Sequence, residues 1–161
     1  MRLKIIIGLL SIGFSQACFS QEGGHEHEHH HDHHNNEFGV ANAPVYFLKE
    51  KQFSYGLHAH YMRNIIHTRI SVGFGYERIF DEHRHHTLGV VFGYRPIEAL
   101  SINASPGLTF EGGSLSPAFA LHIETAYEFE VKNFHIGPAA EFAYDPEDIH
   151  LSLGLHIGYG F

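Results

Sequence analysis

Between residues 25 and 34 the chain reads HEHEHHHDHH. Seven histidines (His25, His27, His29, His30, His31, His33 and His34) and three acids fill ten positions, with no apolar residue among them. Neutral imidazole is a ligand for zinc, copper and nickel, and carboxylates add charge and oxygen donors. Structural zinc sites draw ligands at fixed spacings from packed elements. This tract has no such spacing, so it predicts several interchangeable ligand sets for a divalent transition metal, zinc foremost, on a disordered segment. The plainer readings are a solubilising linker whose charge changes near pH 6, or a cloning tag. Interleaved acids, and a position behind an export leader, speak against a tag.

A second group of candidate ligands is dispersed: His58 and His60, His122 and Glu124, and His156, with His135, Glu141 and His150 near them. Each sits in a segment where apolar residues recur at every second position, as in a strand with one apolar face. In 118–130, Phe119, Leu121, Ile123, Thr125, Tyr127 and Phe129 alternate with Ala120, His122, Glu124, Ala126, Glu128 and Glu130. In 70–77, Ile70, Val72, Phe74 and Tyr76 alternate with Ser71, Gly73, Gly75 and Glu77. Only the segment GVANAPVYFL is ambiguous. The polar faces are rich in Gly and Ala, which suits a crowded interior. A third cluster, DEHRHH at 81–86, could bind a cation weakly as a solvated loop.

The two ends of the chain bear on compartment. Residues 1–20, MRLKIIIGLLSIGFSQACFS, have a basic start, a short apolar run and small residues, the pattern of a secretory signal peptide. Cys18, the only cysteine, leaves no internal disulfide and could carry a lipid were it the first mature residue. Residues 149–161, IHLSLGLHIGYGF, place Ile149, Leu151, Leu153, Leu155, Ile157, Tyr159 and Phe161 on one face. This resembles the C-terminal strand of small bacterial outer-membrane β-barrels, which the barrel-assembly machinery recognises. The resemblance covers about residues 38–161. It implies an all-β fold, an eight-stranded antiparallel up-and-down transmembrane β-barrel, set in the outer-membrane lipid bilayer of a Gram-negative cell with both termini periplasmic. It implies nothing about activity or about the tail.

Alternation and turn residues predict strands over 39–48, 53–63, 67–80, 85–95, 100–111, 115–130, 133–144 and 149–161, with a leader over 1–20, a tail over 21–37 and one barrel over 38–161. The loops at 49–52, 81–86, 111–114 and 145–148 would face outside. Tyr and Phe near strand ends fit aromatic girdles at two membrane interfaces. A lipocalin-like soluble barrel, apolar face inward, is the structural competitor.

On this ring strands two and six oppose each other. His58, His122 and His156, with His60 or Glu124, are expected to converge on one metal ion, with His135, Glu141 and His150 as rungs above and below. The competing reading is a hydrogen-bonded lumen that binds nothing. A formal net charge of −8 argues against nucleic acid, and no nucleophile or zinc-protease motif points to an enzyme. The expected function is metal binding by an outer-membrane barrel, in uptake, efflux or buffering. The alternatives are a structural or stress-related barrel and a narrow pore for small solutes.

Overall fold

A computed structural model describes residues 34–82, 84–112, 116–146 and 148–161. The leader, Cys18 and tract positions 25–33 lie outside these residues. Among them the chain forms the strands β1 Asn36–Phe47, β2 Gln52–Asn64, β3 Ile70–Ile79, β4 His86–Ile97, β5 Leu100–Phe110, β6 Ala118–Tyr127, β7 Phe129–Val131, β8 Phe134–Tyr144 and β9 Ile149–Gly160. All neighbours are antiparallel, and the ring closes through β6–β8 and β1–β9.

β6 and β7 make a single wall strand. Their pairing with β8 keeps one register, from Ala126↔Ala139 to Phe129↔Ile136. The interruption falls opposite Pro138, which has no N–H to give. The result is a closed, eight-stranded, antiparallel up-and-down barrel, as expected.

The barrel's shear can be followed residue by residue. From Asn36 the pairing runs to Arg63, Val72, Phe92, Ala104, Ile123, Phe142 and Leu151, and returns to β1 at Tyr46. One circuit therefore climbs ten residues along β1, from 36 to 46. For eight strands this shear corresponds to a tilt of about 40°. The lines of hydrogen-bonded neighbours consequently slope against the barrel axis, which decides which lumen side chains meet.

Alternation sets the two faces. Outward Phe74, Leu88, Phe119 and Leu153 are 69%, 56%, 54% and 68% exposed, a surface no water-soluble barrel would show as a continuous band. One aromatic girdle, Phe38, Tyr61, Phe134 and Tyr159, surrounds the rim that carries Asn36 and Phe161. The other, Tyr46, Phe53, Tyr55, Phe80 and Tyr144, lies toward the opposite rim. Phe38 and Tyr46 are eight residues apart on one tilted strand, so the girdles stand about 20 Å apart along the axis, close to the apolar height of such barrels. The apolar face is outside, which excludes the lipocalin-like arrangement.

Three boundaries differ from the sequence expectation. β1 begins at Asn36, so Asn36 and Glu37 belong to the wall and not to a tail extending to 37. His34, counted with the tract, packs its ring over Gly160, and its carbonyl accepts the Asn64 side-chain amide at 2.7 Å. The strand expected over 67–80 starts at Ile70, because His67 adopts φ 62° within the β2–β3 turn. The ambiguous first strand resolves with Glu37, Gly39, Ala41, Ala43, Val45 and Phe47 inward. That leaves Asn42 on the lipid side, where it covers its amide against the Leu155 carbonyl at 3.4 Å.

Candidate metal centre in the barrel lumen

The lumen is filled by polar side chains in three levels. Next to the rim that carries the termini, Arg95 donates to Glu128 at 2.7 Å and to Glu37 at 2.8 Å, and Ser101 donates to Glu128 at 2.8 Å. His156 Nδ1 lies 3.1 Å from Glu128, and His135 Nε2 lies 3.2 Å from Glu37. Arg95, Glu37, Glu128 and Ser101 form an ion-pair network at this level, while His135 Nε2 and both ring nitrogens of His156 have no hydrogen-bond partner.

The middle level is different. His58, His60, Glu77, His122, Glu124 and Glu141 are all buried. His58 Nδ1 stands 3.7 Å from Glu124 Oε2 and 3.6 Å from Glu141 Oε2. His122 Nδ1 stands 3.4 Å from both Glu77 Oε2 and Glu141 Oε1. His150 Nε2 is 4.0 Å from Glu77 Oε2. These separations exceed a hydrogen bond. Ligand atoms placed tetrahedrally at about 2.0 Å around an ion are themselves about 3.3 Å apart. The nitrogen–oxygen spacing of this level, 3.4 to 4.0 Å, begins near that value.

Two sets emerge. One ligand atom each from Glu77, His122, Glu141 and His150 lies within 4.8 Å of the others, and His58, His60 and Glu124 form a second such set. Neither ring nitrogen of His150 has a hydrogen-bond partner, and the same holds for Glu77 Oε2, His58 Nδ1 and both ring nitrogens of His60. Burying such groups unpaired is costly; a cation would satisfy them. Asn103 donates to Glu124 Oε1 at 3.3 Å, which leaves Oε2 directed at His58. A cavity of about 20 Å³ opens between His58, Glu77, Glu124 and Glu141.

Above this level the lumen closes. Val45, Phe47 and Ile79 form an apolar cluster, and Phe47 packs between His150 and His85, with ring centroids at 5.2 and 5.6 Å. His85 is buried, hydrogen-bonded to Asp81 and 3.1 Å from Glu111. The 81–86 segment is thus not a simple solvated loop: its middle histidine turns inward and, with Glu111 and Asp145, makes a further compact ligand set.

Some inward glycines are seats for imidazole rings. A Cβ on Gly39 would collide with His60 and His156, and one on Gly158 with His135.

His58, His122 and His156, expected to converge on one ion, fall in three separate ligand sets. His58 and His122 reach a common partner, Glu141, from opposite sides. His156 does not join them; it groups with Glu37 and His135 near the rim. Both His58 and His156 pair with Ala41, one on each side. On a tilted strand that pairing line slopes, so one histidine sits high and the other low. His60 and Glu124 lie with His58. Glu77, Glu37 and Arg95 were not singled out as site residues. Glu77 was legible as an inward acid on an apolar-alternating strand, and Glu37 would have followed from extending the Phe38, Val40 alternation back by one residue.

Solved structures with the same strand architecture include the neisserial surface protein A (TM-score 0.57, 13% identity, covering 78% of this chain and 96% of that one). The attachment invasion locus protein of Yersinia pestis gives 0.56 at 13%, covering 78% and 97%. A de novo designed transmembrane β-barrel gives 0.56 at 10%, covering 79% and 96%. The fold is that of the small outer-membrane β-barrels. At these identities the likeness concerns the fold alone. No protein-family model matches the chain, and no curated protein matches it.

Proposed function

We propose that the chain is a bacterial outer-membrane protein that holds divalent transition metals, zinc first among them, inside its barrel, with the His25–His34 tract as a second ligand set. The observation that carries this reading is the buried Glu77, His122, Glu141 and His150 set, whose ligand atoms lie within 4.8 Å of one another and partly lack hydrogen bonds. Two imidazoles and two carboxylates suit borderline ions such as zinc. The girdled apolar exterior supports a bilayer setting. With Asn36 and Phe161 hydrogen-bonded at one rim, both ends of the barrel chain share a side of the membrane, which we assign to the periplasm; β9 is then the strand offered to the barrel-assembly machinery.

The small residual cavity and the Val45, Phe47, Ile79 closure favour holding or buffering over an open pore. A second reading, a purely structural barrel, draws support from the rim level, where Arg95, Glu37, Glu128 and Ser101 satisfy one another without any ion.

Zinc titration calorimetry on the folded full chain tests the proposal, with a companion in which the tract histidines are replaced by serine. Binding that survives in the companion and weakens at least tenfold on His122→Ala is the expected result. Loss of all binding with the tract removes the lumen site, and no binding in either protein removes the metal role.

A further inference from the structure

Glu141 is the hinge between the two central ligand sets. Its Oε1 faces His122 at 3.4 Å and its Oε2 faces His58 at 3.6 Å. Each oxygen is thus aimed at a different group of donors. On one side stand His122, Glu77 and His150; on the other stand His58, His60 and Glu124. A carboxylate presented in this way is a bridging ligand, because the two oxygens of one carboxylate reach ions about 3.5–4 Å apart in two-metal sites.

We propose that the lumen holds a dinuclear divalent-metal centre bridged by Glu141. One ion is bound by Glu77, His122, His150 and Glu141 Oε1, the other by His58, His60, Glu124 and Glu141 Oε2. The inference rests on the metal-holding role proposed above and specifies its stoichiometry and chemistry.

Ligand count supports two ions over one. Glu77, Glu124 and Glu141 bring three carboxylates into a buried space, and Arg95, which pairs with acids in the lumen, is committed to Glu37 and Glu128 at the rim. The cavity of about 20 Å³ is lined by His58, Glu77, Glu124 and Glu141 together with wall residues, among them Ala41, Ala43, Ala139 and Gly154, and has room for one solvent molecule. A single ion in either set would leave the other set's donors orphaned.

The ring faces are arranged for this task. Gly75 lies under His58, where a Cβ would approach His58 Nε2 to 2.9 Å. That seat keeps the ring in place and its Nδ1 turned toward the two carboxylates. Asn103, bonded to Glu124 Oε1, fixes the outer acid in the same way. His60 lies with its ring centroid 5.5 Å from that of His58, on the same strand and the same face.

The test uses Co(II) as the probe on the folded full chain with its tract histidines replaced by serine. Metal content per barrel is measured by mass spectrometry, and spin coupling by electron paramagnetic resonance. Two Co(II) per barrel are expected, with the signal of the first ion diminished when the second binds. Glu141→Gln is expected to abolish the coupling and to lower the stoichiometry toward one. Since stoichiometry and coupling are read on the unsubstituted lumen, a folding defect in that variant leaves the test intact. One ion per barrel overturns the bridged centre while sparing the metal-holding role. Two uncoupled ions overturn the bridge. No bound ion overturns both readings.

Discussion

At the residue scale, a guanidinium separates the rim of the lumen from its centre. Arg95 holds two acids, Glu37 and Glu128, at 2.8 and 2.7 Å. Arg95→Met should therefore destabilise the barrel by about 3 kcal/mol, the penalty for breaking a buried ion pair and leaving its partners charged; urea unfolding in detergent micelles would measure it. Gly39→Val should be comparably harmful for a different reason: the seat of His60 and His156 is filled, and both rings must move. Much of this level of detail was legible in the alternation. His58, His60, His122, Glu124 and His156 all point inward, as their positions on apolar-alternating strands required. Which of them meet was not legible, because contacts across a barrel follow the shear. Alternation fixes the face of a side chain and leaves its height open.

Prolines and turns explain most departures at the scale of elements. Pro44, Pro106 and Pro138 keep their pairing on one side (Pro44↔Tyr55, Pro106↔Leu121, Pro138↔Leu155). On the other side the ladder skips them: Asn42↔Leu155 to Val45↔Ser152, Gly89↔Gly107 to Phe92↔Ala104, and Ala126↔Ala139 to Phe129↔Ile136. Each lacks one ladder donor, and the last of these gaps is why a strand expected over 115–130 divides at Glu128. The β7–β8 turn places Lys132 at φ 58°, a left-handed conformation that costs a non-glycine residue about 1 kcal/mol. Lys132→Gly should recover that amount, seen as a higher urea midpoint. Asp148 works in the opposite direction. Its Oδ1 accepts the Lys49 amide at 2.9 Å and ties the β8–β9 hairpin to the β1–β2 hairpin. Asp148→Ala should cost about 1–3 kcal/mol by leaving backbone donors unmet. The turn chemistry around 145–148 was visible in sequence; its attachment to a distant hairpin was not, since 99 residues separate the partners.

For the whole molecule, the exterior decides the environment. Leu153 is 68% exposed near the middle of the apolar band. Leu153→Arg should lower folding stability in lipid by about 2–4 kcal/mol. The same substitution at Phe53, beside Tyr46 on the far girdle, should cost about 1 kcal/mol or less. Equal costs at the two depths would contradict a bilayer lying between the girdles. Strand number, closure and facing were all readable from period-two patterning, because lipid outside and a crowded interior impose opposite demands on neighbouring residues. The ten-residue shear was not readable, because it is a property of eight registers taken together.

The lumen contacts join strands that are not neighbours in the ring: His58 on β2 meets Glu124 on β6 and Glu141 on β8, and His122 on β6 meets Glu77 on β3. No such contact exists in a sheet whose last seam is still open. The β1–β9 seam, sealed at its end by the reciprocal Asn36 and Phe161 backbone bonds of 2.9 Å, must therefore shut before any of these charges finds its partner. Insertion then has a late, all-or-none closing step, and the transition state for folding should carry wall contacts but little lumen structure. Substitutions at His58 or His122 would speed unfolding and leave the folding rate nearly unchanged.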